Sequence, residues 1–277
     1  MPELPEVETV RRNLDRLIVG ATITDVVFGD FTGSIANPAP EIFAAALQGR
    51  RIVGTGRRGK YVLLRLDSAD VIAVHLRMTG DLHVVAGGEP WRKHLHLAML
   101  LDDGRELRFA DTRKFGRIWL LTPPEVDDLN EHIGPEPLDL ALTPENFHLR
   151  LQRRERAIKP LIMDQAFLAG VGNIYADEAL FAARIHPLRP ASSLSLSEAA
   201  NVLNAVRLAL QNAIDRGGTT IRSYRNAVGE PGGNQDYLQI YQLAEGDPCP
   251  RCGTPINRIV VAQRGTRFCA TCQPLEP

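Results

Sequence analysis

Long apolar runs are missing from this sequence of 277 residues. No segment approaches the roughly 18 consecutive apolar residues of a membrane span, and the acidic N-terminus lacks the basic and apolar regions of a signal peptide. We therefore expect a cytosolic protein. The apolar content of 44% indicates a globular chain, and its length allows two domains with small additions.

Cysteine is absent from most of the chain, and all four cysteines lie near the C-terminus as Cys249-Pro-Arg-Cys252 and Cys269-Ala-Thr-Cys272. The spacing of these two pairs is typical of a tetrahedral zinc site. Disulfides or a redox dithiol are the alternatives, and a reducing compartment argues against both. We expect one structural zinc ion, because four thiolates leave no open position for substrate. The residues between the pairs predict a β-hairpin with Arg264 at its tip.

Excess charge of either sign is nearly absent, since the formal net charge is −1. Only four of the 32 basic residues are lysines. A near-neutral chain is not a typical nucleic-acid binder. The charge is segregated, however, since residues 118–149 contain no lysine or arginine, and basic residues cluster at 50–60, 105–117, 150–159 and 251–267. Each cluster alone could be a solvated face, but together they could line one phosphate-binding groove.

The first 121 residues alternate short β-like runs with turn signals, which predicts an N-terminal β-sandwich or barrel behind one helix. The runs are 22–28, 51–55, 61–66, 71–76, 82–85, 95–101, 106–110 and 118–121, with a second helix near 40–48. The remainder is expected to contain a Pro-rich acidic linker (122–143), a helical domain (144–236) with a mobile loop (217–236), and a zinc-finger hairpin (237–277). The fold class is therefore α+β with several domains.

The first residues offer a nucleophile, because removal of Met1 would leave a free secondary amine on Pro2. An α-amino group titrates near pH 8, so more of it is neutral at pH 7 than of a lysine. With a sugar aldehyde, such an amine gives an iminium that keeps its charge and acts as an electron sink. Pro5 and Glu6 also suit an ordinary helix start, so this stretch alone leaves both readings open.

Seven motifs in order resemble the formamidopyrimidine-DNA glycosylase family, bacterial enzymes that excise oxidised purines such as 8-oxoguanine and then cut the DNA backbone. The motifs are Pro2-Glu-Leu-Pro-Glu-Val-Glu8, Arg57-Arg-Gly-Lys-Tyr61, His75-Leu-Arg-Met-Thr-Gly80, Asp111-Thr-Arg-Lys-Phe-Gly116, Ile158-Lys-Pro160, Gly170-Val-Gly-Asn-Ile-Tyr-Ala176, and the four cysteines around Ala262-Gln-Arg264. The resemblance covers essentially the whole chain. It implies an N-terminal β-sandwich, a helix-two-turn-helix domain and a zinc-ribbon hairpin.

The resemblance also implies roles for the catalytic residues. Pro2 would attack C1′ and displace the base, with Glu3 as the acid that protonates the opening sugar and Glu6 positioning water or the amine. Lys60 would contact phosphate and assist proton transfer. Arg264 would serve the later elimination and bind phosphate. Successive β- and δ-elimination would then remove the sugar remnant.

Double-stranded DNA with oxidised bases is the implied partner of a monomeric, nucleoid-associated enzyme. The damaged nucleotide must leave the helix. Met78 would fill the vacated space, Phe115 would wedge between base pairs, and Arg113 would bond the orphaned cytosine. The implied phosphate or base-pocket contacts are His75, His94, Arg154, Lys159 and Asn173.

Two other functions remain open at this point. The sister endonuclease VIII type shares the nucleophile but acts on oxidised pyrimidines; Leu4 and the set Met78, Arg113 and Phe115 favour the purine enzyme. A non-catalytic zinc-ribbon protein that binds nucleic acid would need neither Pro2 nor Glu3.

Overall fold

The computed structural model describes residues 1–275 and divides into two compact units. One unit comprises Met1–His132 with Ile214–Gly233, and the other comprises Ile133–Ala213 with the chain from Asn234 onward. The last two residues of the expected hairpin segment 237–277 lie outside the described part. Within residues 1–275 no helix has both the length and the apolar character needed to cross a membrane.

The first unit is a β-sandwich with a helix packed against it. Its elements are α1 (Leu4–Ile18), β1 (Ile23–Phe28), β2 (Ile35–Asn37), α2 (Pro40–Leu47), β3 (Ile52–Arg58), β4 (Tyr61–Leu66), β5 (Val71–His75), β6 (Gly80–Ala86), β7 (Leu95–Leu101), β8 (Arg105–Asp111), β9 (Arg117–Leu121) and α3 (Pro123–His132). One sheet has the order β2-β9-β5-β4-β3 and the other the order β1-β7-β8-β6. The predicted β-sandwich is therefore confirmed.

The core of this unit joins α1 to both sheets. Val7, Leu14 and Ile18 recur at helical spacing and are fully buried, as are Leu64 of one sheet and Phe109 of the other. Each apolar side chain of this size contributes about 1.5–3 kcal/mol when fully buried. The N-terminus of the chain is thereby held against the sandwich.

Two elements differ from the sequence-based expectation. β2, which was not predicted, pairs in parallel with β9. The segment expected to be a linker contains α3, which starts at a proline and has Glu125 in its first turn. Val126 and Leu129 of this helix pack on a small apolar cluster that includes Leu63 and Leu121. The acidic, Pro-rich composition of this segment indicated a linker, although Val126 and Leu129 form an apolar face of a helix.

The second unit is helical and ends in a hairpin. Its elements are α4 (Pro144–Gln152), α5 (Ile158–Ile162), α6 (Asn173–Ala183), α7 (Leu196–Asp215, whose last two residues group with the first unit), β10 (Asn257–Val261) and β11 (Arg264–Phe268). β10 and β11 are antiparallel, with Val261 opposite Arg264. The turn is therefore Ala262-Gln263, with φ of +47° and +60°, as a two-residue type I′ turn requires. Arg264 is the first residue of β11 rather than the tip itself.

A buried carboxylate fixes the chain that leads into the hairpin. Glu178 of α6 accepts backbone N–H bonds of 2.9 Å from Gln239, Ile240 and Tyr241. Three consecutive amides of a segment without regular structure are thereby satisfied by one side chain.

Glu178→Ala should lower the free energy of unfolding by about 2–3 kcal/mol, because three backbone donors, of which that of Ile240 is buried, lose their acceptor. Glu178→Gln should lie between this variant and the wild type. Urea unfolding measures the difference. Glu245→Ala, which removes an exposed carboxylate nearby, serves as the control and should change stability by less than about 0.5 kcal/mol. Equal stability of all three variants would show that the carboxylate does not anchor this segment.

Candidate active site and metal centre

The N-terminal residues are buried at the start of α1. Pro2 is buried, Glu3 is the N-cap residue with 3% exposure, and the backbone N–H of Glu3 donates to Glu6 Oε2 at 2.8 Å. Pro5 lies in the first turn, where its missing N–H leaves no helical bond unmade. Pro2 thus stands at the positive end of a helix, beside two buried carboxyl groups.

Glu6 also holds the segment 217–224, which belongs to the same unit. Its Oε1 accepts the backbone N–H of Thr219 at 2.7 Å, and Tyr224 Oη lies 3.3 Å from the carbonyl oxygen of Glu6. Burial, and then the charge of Glu6, raise the pKa of Tyr224, so this phenol stays protonated and can donate. Gly218 has φ of +88°, and a Cβ there would lie 2.9 Å from Tyr224 Cε1. Glycine is therefore required where the segment passes over Glu6.

Lys60 lies in the tight turn between β3 and β4 and is only 5% exposed. Gly59, the first residue of this two-residue turn, has φ of +52°, a conformation that glycine favours. Arg57 donates to Gly59 O at 3.0 Å and to Glu8 Oε2 at 3.3 Å. The turn that carries Lys60 is therefore tied to α1 through Arg57.

His75, at the end of β5, is buried and neutral. Burial, followed by the charges of Arg77 and Lys60, lowers the pKa of His75 to about 3. Its Nδ1 accepts the backbone N–H of Arg77 at 3.0 Å. Because a neutral imidazole that accepts at Nδ1 carries its proton on Nε2, His75 offers an uncharged N–H donor.

Met78, Arg113 and Phe115 lie on two loops of the first unit. Met78 is half-buried between β5 and β6, while Arg113 and Phe115 are exposed between β8 and β9. Phe115 is 49% exposed, which excludes an ordinary core role, and Arg113 Cζ lies 4.8 Å from the centre of its ring. His94 is half-buried with φ of +68°, and its carbonyl accepts the N–H of Asp111.

The second unit brings together Lys159, Asn173 and the hairpin. Lys159 is fully buried, forms an ion pair of 2.6 Å with Asp177 and donates to Thr266 Oγ1 at 2.6 Å. Asn173, the first residue of α6, donates to Gly265 O at 3.1 Å. Burial raises the pKa of Asp177 to about 6, against the opposing effect of Lys159. These contacts fix β11, while Arg264 at its start is exposed.

Arg154 follows the C-cap residue of α4, Arg153, and is exposed to solvent. Its backbone N–H donates to Leu151 O at 2.9 Å, and its carbonyl accepts the N–H of Ser192 at 3.0 Å. The backbone is held while the guanidinium faces outward, which suits an electrostatic contact.

The four cysteine sulfur atoms form one cluster, in which all Sγ atoms lie within 4.8 Å of one another. Cys249 and Cys272 are 3.9 Å apart, and Cys252 and Cys269 are 3.5 Å apart. Four ligands of a tetrahedral zinc ion with Zn–S bonds of about 2.3 Å would be about 3.8 Å apart. No disulfide joins these four residues. The donor set therefore fits one structural zinc ion and argues against the disulfide alternative.

Comparison with known families identifies three consecutive segments. Residues 1–118 match the formamidopyrimidine-DNA glycosylase N-terminal domain, residues 133–225 match the H2TH domain of the same enzymes, and residues 246–275 match a zinc finger found in FPG and IleRS. The chain belongs to the formamidopyrimidine-DNA glycosylase family. The resemblance found in the sequence motifs is thus confirmed, and the four cysteines hold one structural zinc ion.

Full-length relatives support this membership. The formamidopyrimidine-DNA glycosylase of Herpetosiphon aurantiacus is 50% identical, over 99% of this chain and 100% of the relative. The formamidopyrimidine-DNA glycosylase of Latilactobacillus sakei is 43% identical, over 99% of this chain and 98% of the relative. A solved complex of Lactococcus lactis Fpg with abasic-site DNA is 38% identical, with a TM-score of 0.91 and coverage of 98% and 99%. MutM in complex with carbocyclic 8-oxo-G DNA is also 38% identical, with a TM-score of 0.91 and coverage of 99% and 100%.

Three buried acids of this family member were given no role from the sequence. Asp111, Asp177 and Glu178 are at most 9% exposed, and each accepts backbone N–H bonds. Asp111 begins the motif Asp111-Thr-Arg-Lys-Phe-Gly116, directly before a turn. Aspartate at such a position often accepts hydrogen bonds from nearby backbone amides. Asp177 and Glu178 lie inside α6, which begins at Asn173, and no turn motif beside them indicated that they bind backbone amides.

Cys269→Ser should release the zinc ion and disorder the hairpin, because the fourth thiolate is lost. Metal content and limited proteolysis near residue 260 measure both effects, and the sandwich should retain its own unfolding transition. Thr271→Ser, between two ligands, is the matched control. Stoichiometric zinc in Cys269→Ser would contradict the four-cysteine assignment.

His75 should make the protein less stable in acid. Its pKa in the folded state, about 3, lies below the ordinary 6.5, so its contribution is complete above pH 6.5 and is lost as the pH falls toward 3. Urea unfolding of wild type and His75→Gln between pH 7 and 4 should differ in slope by up to about 1.4 kcal/mol per pH unit. Parallel profiles would mean that His75 is not buried as a neutral ring.

Proposed function

We propose that this protein is a bifunctional DNA glycosylase and abasic-site lyase that excises oxidised purines from duplex DNA. The observation that carries the proposal is Pro2, buried at the positive end of α1 beside Glu3 and Glu6. Relatives that cover the whole chain bear the name formamidopyrimidine-DNA glycosylase. Solved neighbours include complexes with DNA that contains Fapy-dG or carbocyclic 8-oxo-G.

Pro2 acts as the nucleophile once Met1 is removed. Its nitrogen lone pair forms a bond to C1′ while the bond from C1′ to the base breaks, and the proton that the amine loses balances the one taken up by the departing base. Glu3 protonates the ring oxygen as the sugar opens, which gives an iminium between Pro2 and C1′. Since this iminium has no N–H to lose, it remains an electron sink for the steps that follow.

Strand cleavage follows by two eliminations. Loss of a proton from C2′ expels the 3′ phosphate, and a second elimination expels the 5′ phosphate, which leaves a one-nucleotide gap. Lys60 and Arg264 bind the phosphates and assist these proton transfers. Glu6 acts as a positioning residue, because its two oxygens bind the backbone of Glu3 and of Thr219.

DNA is held by charge and by insertion. Met78 fills the space of the extruded nucleotide, Phe115 wedges into the stack and Arg113 bonds the orphaned cytosine. His75 supplies a neutral N–H donor for phosphate. The other contacts are His94, Arg154 and Asn173, with Lys159 acting near the base pocket from its buried position against β11.

Domain limits and location complete the proposal. We assign residues 1–121 to the catalytic domain, 122–143 to the connection, 144–236 to the DNA-binding domain and 237–277 to the zinc finger. The loop 217–236 lies within the DNA-binding segment of the sequence, but its residues up to Gly233 group with the first unit. The protein acts as a monomer in the bacterial cytosol, at the nucleoid. The endonuclease VIII type remains the alternative; excision of an oxidised pyrimidine in preference to 8-oxoguanine would favour it.

Borohydride should trap one covalent adduct when the protein acts on a duplex with a single 8-oxoguanine opposite cytosine, because it reduces the iminium. Mass mapping of the adduct should place it on Pro2. One extra residue ahead of Pro2 converts the amine to an amide, so this variant should bind the duplex normally but give no adduct and no excision. An adduct on a lysine, or full activity with Met1 retained, would refute the nucleophile.

A further inference from the structure

The two loops that carry Met78, Arg113 and Phe115 are neighbours by topology. Loop 76–79 runs from β5 in one sheet to β6 in the other, and loop 112–116 runs from β8 back to β9. His75 pairs with Arg117 at one base of the two loops, and Gly80 pairs with Asp111 at the other. Both loops therefore cross between the sheets side by side.

Asp111 binds both loops with one buried carboxylate. Its Oδ1 accepts from Thr79 Oγ1 at 2.5 Å and from the N–H of Arg113 at 3.1 Å, and its Oδ2 accepts from the N–H of Gly116 at 2.7 Å. The side chain of Asp111 is inaccessible to solvent. Hydrogen bonds to a buried charge are strong, and an unpaired partner is costly, so these loops resist separate movement.

Each bond is made next to a residue that enters the DNA. Thr79 follows Met78, Gly116 follows Phe115, and the amide of Arg113 is itself a donor. Thr79 Oγ1 also accepts the N–H of Arg113 at 3.2 Å, which adds a direct bond between the loops. Gly116 must be glycine, since a Cβ would lie 2.5 Å from Phe109 Cζ and 3.2 Å from Asp111 Oδ2.

We propose that Asp111 and Thr79 are positioning residues that latch the two loops together, so that filling by Met78 and wedging by Phe115 occur as one rigid event. This inference rests on the proposed function. Without the latch, each loop could retreat separately when the nucleotide is extruded. The orphaned cytosine would then be read less accurately, because Arg113 would lose its fixed backbone.

The test compares Thr79→Val, which keeps the shape but removes the hydroxyl, with Thr79→Ser, which keeps the hydroxyl. Thr79→Val should slow excision of 8-oxoguanine from a duplex about tenfold, as expected for a lost bond to a charged group, and reduce the preference for cytosine over adenine opposite the lesion. Thr79→Ser should stay within about threefold of wild type. Cleavage of a preformed abasic site, which needs less extrusion, should change less than about threefold in both variants.

A double-mutant cycle with Phe115→Ala separates a latch from a general loss of structure. If Thr79 acts through the wedge, Thr79→Val should have little further effect once Phe115 is removed. Additive losses, equal losses on both substrates, or equal effects of the valine and serine variants would each overturn the latch. If Phe115→Ala excised normally, the wedge assignment and the latch would both fall. Failure of the wild type to excise 8-oxoguanine would instead overturn the proposed function.

Discussion

The carboxylate of Glu6 is the contact on which the site in the first unit depends. It bonds the backbone of Glu3 at the start of α1 and the backbone of Thr219 in the segment 217–224. A buried carboxylate is tolerated only when its oxygens are bonded, so these two segments are held by the same requirement. The residue next to Pro2 and the segment 217–224 thus have their positions fixed together.

The same physical device recurs elsewhere in the chain. Asp111 binds the two loops of the sandwich, Glu178 binds residues 239–241, and Asp177 binds Lys159 and the N–H of Arg267 in the hairpin. Each acid is buried and accepts hydrogen bonds from backbone N–H groups that form no helix or sheet hydrogen bond. Irregular segments carry function because they can present side chains freely, but their amides need partners. Buried acids supply those partners.

Charge in this protein is divided between buried acids and exposed arginines. The acids that organise loops are buried, whereas Arg113, Arg154 and Arg264 are exposed. The net charge of −1 therefore says little about the surface that would meet a phosphate backbone. Lys159 is the exception among the basic candidates, because its ammonium group is committed to Asp177 and Thr266.

Features that depend on local pattern and on covalent chemistry could be predicted from the amino-acid sequence. Alternating short strands predicted the sandwich and two cysteine pairs predicted the zinc site, whereas the nucleophilic role of Pro2 stays a prediction. The sheet order, the parallel pairing of β2 with β9, the burial of Lys159, and the partners of Glu6 and Asp111 depend on long-range packing and became visible in the folded chain. Glu6 and Thr219 are separated by 213 positions. A carboxylate can accept from any amide that the fold brings near it, so no local pattern in the chain could have named its partner.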